Sequence, residues 1–102
     1  MVRKPHRLIE KNLHLRPLQQ LIAEPGGRDT ADILATMSAD VFTEKLKHYK
    51  SKMTMKDRRR IRTDCVAAVQ KRYREEHNAE LGPIAVIVLG NLIWYLIKEL
   101  IL

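Results

Sequence analysis

From Ile84 to Ile97 the chain carries no charged side chain, and Asn91 is the only strongly polar one. Such a run must leave water, so everything else in the fold has to accommodate it. As a helix it is roughly 21 Å long at ~1.5 Å per residue. A bilayer core is about 30 Å thick and usually takes about 17 or more apolar residues. Continued through Lys98 and Glu99 to Leu102, the segment is long enough to span, provided that the charged pair reaches an interface. Trp94 and Tyr95 stand one turn before that pair, where an aromatic belt places them. Lys98 can snorkel along its alkyl stem. The competing reading is a buried central helix of a small bundle, which is also apolar nearly all round.

At ~100° per residue, Asn91 and Lys98 fall on one narrow stripe, with Ile87 and Tyr95 beside them. Leu89, Ile93, Leu96 and Leu100 fill the opposite face. A membrane helix that pairs with a neighbour through Asn91 has this pattern. A core helix whose polar edge touches water has it too. Ile87, Asn91, Trp94, Tyr95 and Lys98 are therefore candidate membrane or helix-packing residues. No apolar signal-peptide core follows the basic start Met1 to Arg7. The expectation is a tail anchor with a cytosolic N-terminus. The alternative is a cytoplasmic or virion protein.

The 102 residues make one domain at most. A chain that short buries a modest core and tends to need a partner, a second copy or a membrane. The formal charge of +7 calls for an acidic partner: nucleic acid, anionic lipid or an acidic protein surface. The single cysteine, Cys65, excludes an internal disulfide and reads as a small buried apolar group.

The chain divides into three parts. Residues Met1 to Arg28 form a basic arm with six basic groups against two acidic ones. Its leucines and isoleucines, among them Leu8, Ile9 and Leu13, are too many for a fully disordered arm. Pro17 suits a first helical turn, so a short helix is predicted over Pro17 to Glu24. Pro25-Gly26-Gly27 marks a loop. Residues 29–80 read as a helical hairpin. Asp29 or Thr30 is the expected N-cap of its first helix. The stripe Leu34, Met37, Val41 or Phe42, Leu46, Tyr49 and Met53 repeats at helical steps, and Ser38 could cap a fresh start that bends the helix. Acids lead and lysines trail in this helix, as its macrodipole favours. The hairpin turns near Lys52-Met53-Thr54. Thr54-Met55-Lys56-Asp57 resembles a capping box with Asp in place of Glu. The second helix follows with the stripe Ile61, Cys65, Ala68, Val69 and Tyr73, and runs to about Glu80. Gly82-Pro83 is expected to end it. Residues 81–102 form the apolar C-terminal helix. Ile84 to Val88 could be a strand taken alone, but no other strand signal offers it a partner.

The strongest charged feature lies between Thr54 and Glu80, with eight basic groups against five acidic ones. Arg58, Arg59, Arg60 and Arg62 crowd the start of a helix, against its dipole. Lys71, Arg72 and Arg74 follow. Arg58 and Arg62 share a face at four-residue spacing. Such a patch suits the phosphates of nucleic acid or lipid head groups. The plainer reading is a solvated face paired with interleaved acids.

His6, His14, His48 and His77 have no metal-ligand spacing. No phosphate loop or nucleophile arrangement is present. The sequence therefore points away from an enzyme and from any cofactor. The expected fold is all-α, three to four helices, with a small hairpin or bundle followed by a strongly apolar C-terminal helix. The first functional reading is a tail-anchored adaptor or scaffold with a basic helical head, working with a protein partner or as a homo-oligomer. The alternative is an all-helical subunit of a nucleoprotein or virion-like assembly, with its C-terminal helix buried in a core or partner.

Overall fold

A computed structural model describes residues 15–49 and 53–101. These residues form four helices and no strand: α1 (15–23), α2 (Gly27–Leu46), α3 (Met55–His77) and α4 (Pro83–Ile101). The all-α expectation holds. Leu8, Ile9, Leu13 and Lys52, to which the sequence assigned roles, lie outside the described residues, as does the side chain of Leu100.

The short helix expected over Pro17 to Glu24 is present as α1. It sends Leu21 into the core and lays Leu18 against its edge. The chain then turns within three residues. The Glu24 N–H donates to the Leu21 carbonyl at 3.0 Å, and the Gly27 N–H donates to the Glu24 carbonyl at 2.9 Å. Gly26 takes the left-handed conformation, φ 70, which costs glycine nothing. A Cβ on Gly27 would overlap the Leu21 carbonyl. These two glycines move the start of α2 upstream of the expected Asp29 or Thr30 cap. Gly26 is the N-cap, and Thr30 lies inside the helix with its hydroxyl donating to the Gly26 carbonyl at 3.2 Å.

Helix α2 is continuous, with no bend at Ser38. That residue is fully buried among apolar neighbours, and its hydroxyl has no partner among the described residues. The expected stripe supplies the core: Leu34, Met37, Val41 and Phe42 are buried, with Leu46 and Tyr49 packed against them. Ile61, Cys65 and Val69 meet them from α3. Thr54 caps α3 as predicted. Its hydroxyl accepts from the Asp57 N–H at 3.1 Å, and its own N–H donates to the Asp57 carboxylate at 3.0 Å. The far end of α3 differs from expectation. The helix stops at His77, and Asn78 provides the left-handed cap at φ 50. Asparagine tolerates that region better than most residues. Gly82 opens the next helix instead: its carbonyl accepts from the Val86 N–H at 3.1 Å, and Pro83 occupies the first position.

Each of α2, α3 and α4 packs against the other two. This corrects the picture of a two-helix head with an apolar helix appended. Helix α4 buries Ala85, Val88, Leu89, Ile93 and Ile97 in the shared core, while Ile87 and Tyr95 are 52% and 60% exposed. Each fully buried Leu or Ile contributes about 1.5–3 kcal/mol, and this is where the uncharged run finds its apolar environment. The single-pass membrane anchor is overturned: no described helix is long and apolar enough to cross a membrane. The reason is length. The uncharged run falls about a third short of a bilayer core, and α4 extends beyond it only through Lys98 and Glu99.

Candidate nucleic-acid interface

Helix α3 runs antiparallel to α4, so the first turns of α3 lie beside the second half of α4. Met55, Arg59, Arg62 and Thr63 from α3 face Asn91 and Trp94 from α4 across an open cleft of about 600 Å³. The steps from 55 to 59 to 62 keep these α3 side chains on one face. Arg62 reaches across from α3 to α4. Its Nε donates to the Gly90 carbonyl at 3.2 Å. Its guanidinium carbon lies 5.8 Å from the centre of the Trp94 ring, within cation–π range. Lys98 Nζ lies 6.0 Å from the same ring.

The structure separates the two basic clusters. In the second, Lys71 pairs with Glu75 at 3.9 Å, Arg72 with Glu76 at 3.1 Å and Arg74 with Glu80 at 3.5 Å. All three pairs are solvent-exposed and of little energetic weight, but they leave this end of α3 balanced in charge. In the first cluster, no ion pair among the described residues holds Arg58, Arg59, Arg60 or Arg62. Of the two acids nearest in sequence, Asp64 is in no ion pair among the described residues, and Asp57 is committed to the cap. Its carboxyl is held below the usual range mainly by the Thr54 N–H, with the Thr54 hydroxyl and the Arg60 and Lys56 charges acting in the same direction.

Arg58 and Arg62 stand four residues apart within α3, but the two arginines that line the cleft are Arg59 and Arg62. Arg58 is half-buried, and its Nε is enclosed without a partner among the described residues. Arg60 is exposed. Of the five α4 candidates, Asn91 and Trp94 enter the cleft, Lys98 flanks it, and Ile87 and Tyr95 lie exposed on the helix. Met55, Thr63 and Gly90 were not singled out from the sequence. Gly90 did carry a signal, because an isolated glycine in an apolar helix often marks a close approach. A Cβ there would stand 3.0 Å from Arg62 Nη2.

Cys65 is fully buried, and burial pushes its thiol up to about 11, with Asp64 adding to the shift and Lys45 opposing it. A thiol so placed is a core group rather than a nucleophile. Among the described residues no three His, Cys, Asp or Glu side chains gather as a metal site requires. No protein-family model matches the chain, and no curated protein or solved structure is similar to it.

Proposed function

We propose that this protein is a non-enzymatic helical subunit that binds nucleic acid through the α3–α4 cleft as one component of a nucleoprotein assembly, with α4 forming a wall of its own core. The observation that carries this reading is the contrast between the two basic clusters. The arginines at the start of α3 lack ion pairs among the described residues, and the cluster at its end is neutralised.

Guanidinium groups match phosphate oxygens with paired N–H donors and are less strongly hydrated than an ammonium. The positive end of the α3 dipole adds to their field. In the free protein this crowding of like charge is unfavourable by a few tenths of a kcal/mol per residue. An anionic strand relieves it. Trp94 and Asn91 supply what a plain phosphate patch lacks, an aromatic face and an amide beside the arginines.

The test is binding of the full chain to fluorescein-labelled single-stranded and duplex oligonucleotides, and separately to anionic vesicles, each at two salt concentrations. Oligonucleotide binding that weakens as salt rises is the expected result. Binding to vesicles alone, or to nothing, contradicts the reading.

A further inference from the structure

We infer that the cleft is built for single-stranded rather than duplex nucleic acid, with one base stacked on Trp94 and the adjoining phosphate held by Arg59 and Arg62. This rests on the nucleic-acid reading of the same cleft and narrows it to one form of strand.

A duplex offers a protein its phosphates and groove edges, while its base faces are stacked on one another. A surface that reads only duplex phosphates has no use for an aromatic plane beside its arginines. An unpaired strand presents base faces, and stacking on an aromatic side chain tolerates any base. Trp94 packs against the core and also lines the cleft, where it is half-buried.

The polar groups around the ring are arranged to match. Arg62 is tethered through Nε to the Gly90 carbonyl, which fixes its position while its two terminal nitrogens remain to donate. Arg59 stands one turn earlier on the same wall. Asn91, one turn before Trp94 on α4, places an amide where the edge of a stacked base would come. The Thr63 hydroxyl gives its one proton to the Arg59 carbonyl at 3.0 Å and can only accept from a base, so donation to the base edge falls to the Asn91 amide. Lys98 lies near the ring on a long, exposed stem. An incoming base displaces it, and its ammonium then moves to a neighbouring phosphate.

Trp94 is the only tryptophan in the chain, so tryptophan emission, excited selectively over the three tyrosines, reports on this site alone. The full-length protein is titrated with an unlabelled thymidine strand of about 12 nucleotides, within the range such grooves accommodate. A duplex of equal length and inorganic phosphate are titrated in parallel. The expected result is saturable quenching by the single strand and none by the duplex or phosphate. By anisotropy with a labelled strand, Trp94→Ala weakens single-strand binding about 5- to 150-fold, the fold-change equivalent of one lost stack. Trp94→Phe, which keeps a ring, retains most of it. If Trp94→Ala does not fold by far-UV dichroism, Trp94→Leu keeps the apolar bulk without the aromatic face and shows the same loss. Duplex binding equal to or tighter than single-strand binding, with Trp94 emission unchanged, overturns the single-strand inference and leaves nucleic-acid binding standing. Binding to neither strand overturns both.

Discussion

Arg62 crosses α4 at the one position that has no side chain to obstruct it. Its Nε bonds the Gly90 carbonyl at 3.2 Å, and a methyl group on Gly90 would sit 3.0 Å from its Nη2. The glycine interrupts an otherwise bulky helix and thereby sets where a guanidinium stands relative to Trp94.

This relationship separates stability from binding. Gly90→Ala removes a residue that costs a helix interior about 0.5–1 kcal/mol, and Arg62 is exposed enough to swing away from the new methyl. The variant should therefore be as stable as the parent or up to ~1 kcal/mol more so, yet bind oligonucleotides more weakly. Urea denaturation and anisotropy on the same preparation check the two halves together.

The glycines of the chain should rank by environment. Gly27→Ala drives a methyl into the Leu21 carbonyl and should cost at least the ~1–3 kcal/mol of ordinary overpacking. Gly26→Ala has open space but a left-handed backbone at φ 70, which predicts a loss of about 1–2 kcal/mol. Gly82→Ala meets nothing within 4 Å and has no positive φ, so its unfolding midpoint should be unchanged. Three chemical-denaturation curves decide the order.

Among the described residues Ser38 is the one buried polar side chain of the core, and its hydroxyl has no partner there. Leaving a buried hydroxyl unsatisfied costs about 1–3 kcal/mol. Ser38→Ala removes that cost with little change in volume and should raise the thermal midpoint. A lowered midpoint would mean that the hydroxyl is bonded in solution.

Cys65 gives a signed pH dependence. Its thiol sits at about 11 in the fold against an ordinary value of 9.0. Below pH 9 it is protonated both folded and unfolded, and its contribution is fully present. Between pH 9 and 11 the unfolded chain releases the proton while the folded chain keeps it, so stability falls as pH rises. Cys65→Ala loses some packing at every pH, but its stability should decline less between about pH 8 and about pH 10 than that of the parent. Equal slopes would show that the thiol is not buried as described.

The helices and their facing stripes were legible because Leu34, Met37 and Val41, and Ile61, Cys65 and Val69, repeat at 3.6-residue steps that only one helix face can satisfy. The capping box at Thr54 was legible for a similar reason, since both partners lie within one turn. The fate of α4 was not. A helix buried by two neighbours and one buried by lipid are both apolar; the shortfall of the uncharged run against a bilayer core was readable, but the packing of Ile93 and Ile97 in a core shared with α2 and α3 was not. The α3 terminus was misplaced because Asn78 adopts the left-handed cap expected of Gly82. The cleft was half legible: Arg59, Arg62, Asn91, Trp94 and Lys98 were candidates in two separate groups. What joined them is the antiparallel register of α3 on α4, a long-range property that spacing along the chain does not encode.

The decisive measurement compares the two basic clusters by salt dependence of single-strand binding. Arg59→Gln with Arg62→Gln removes two charges; Lys71→Gln, Arg72→Gln and Arg74→Gln together remove three. If net charge alone governed binding, the triple variant would lose more. The cleft predicts the reverse: the double variant binds more weakly, and its slope of log K against log salt is shallower by about 0.7, the change for one phosphate of a single strand that is no longer neutralised. The triple variant keeps the parent affinity and slope. A triple variant as impaired as the double, or a double variant indistinguishable from the parent, contradicts the assignment of this cleft to nucleic acid.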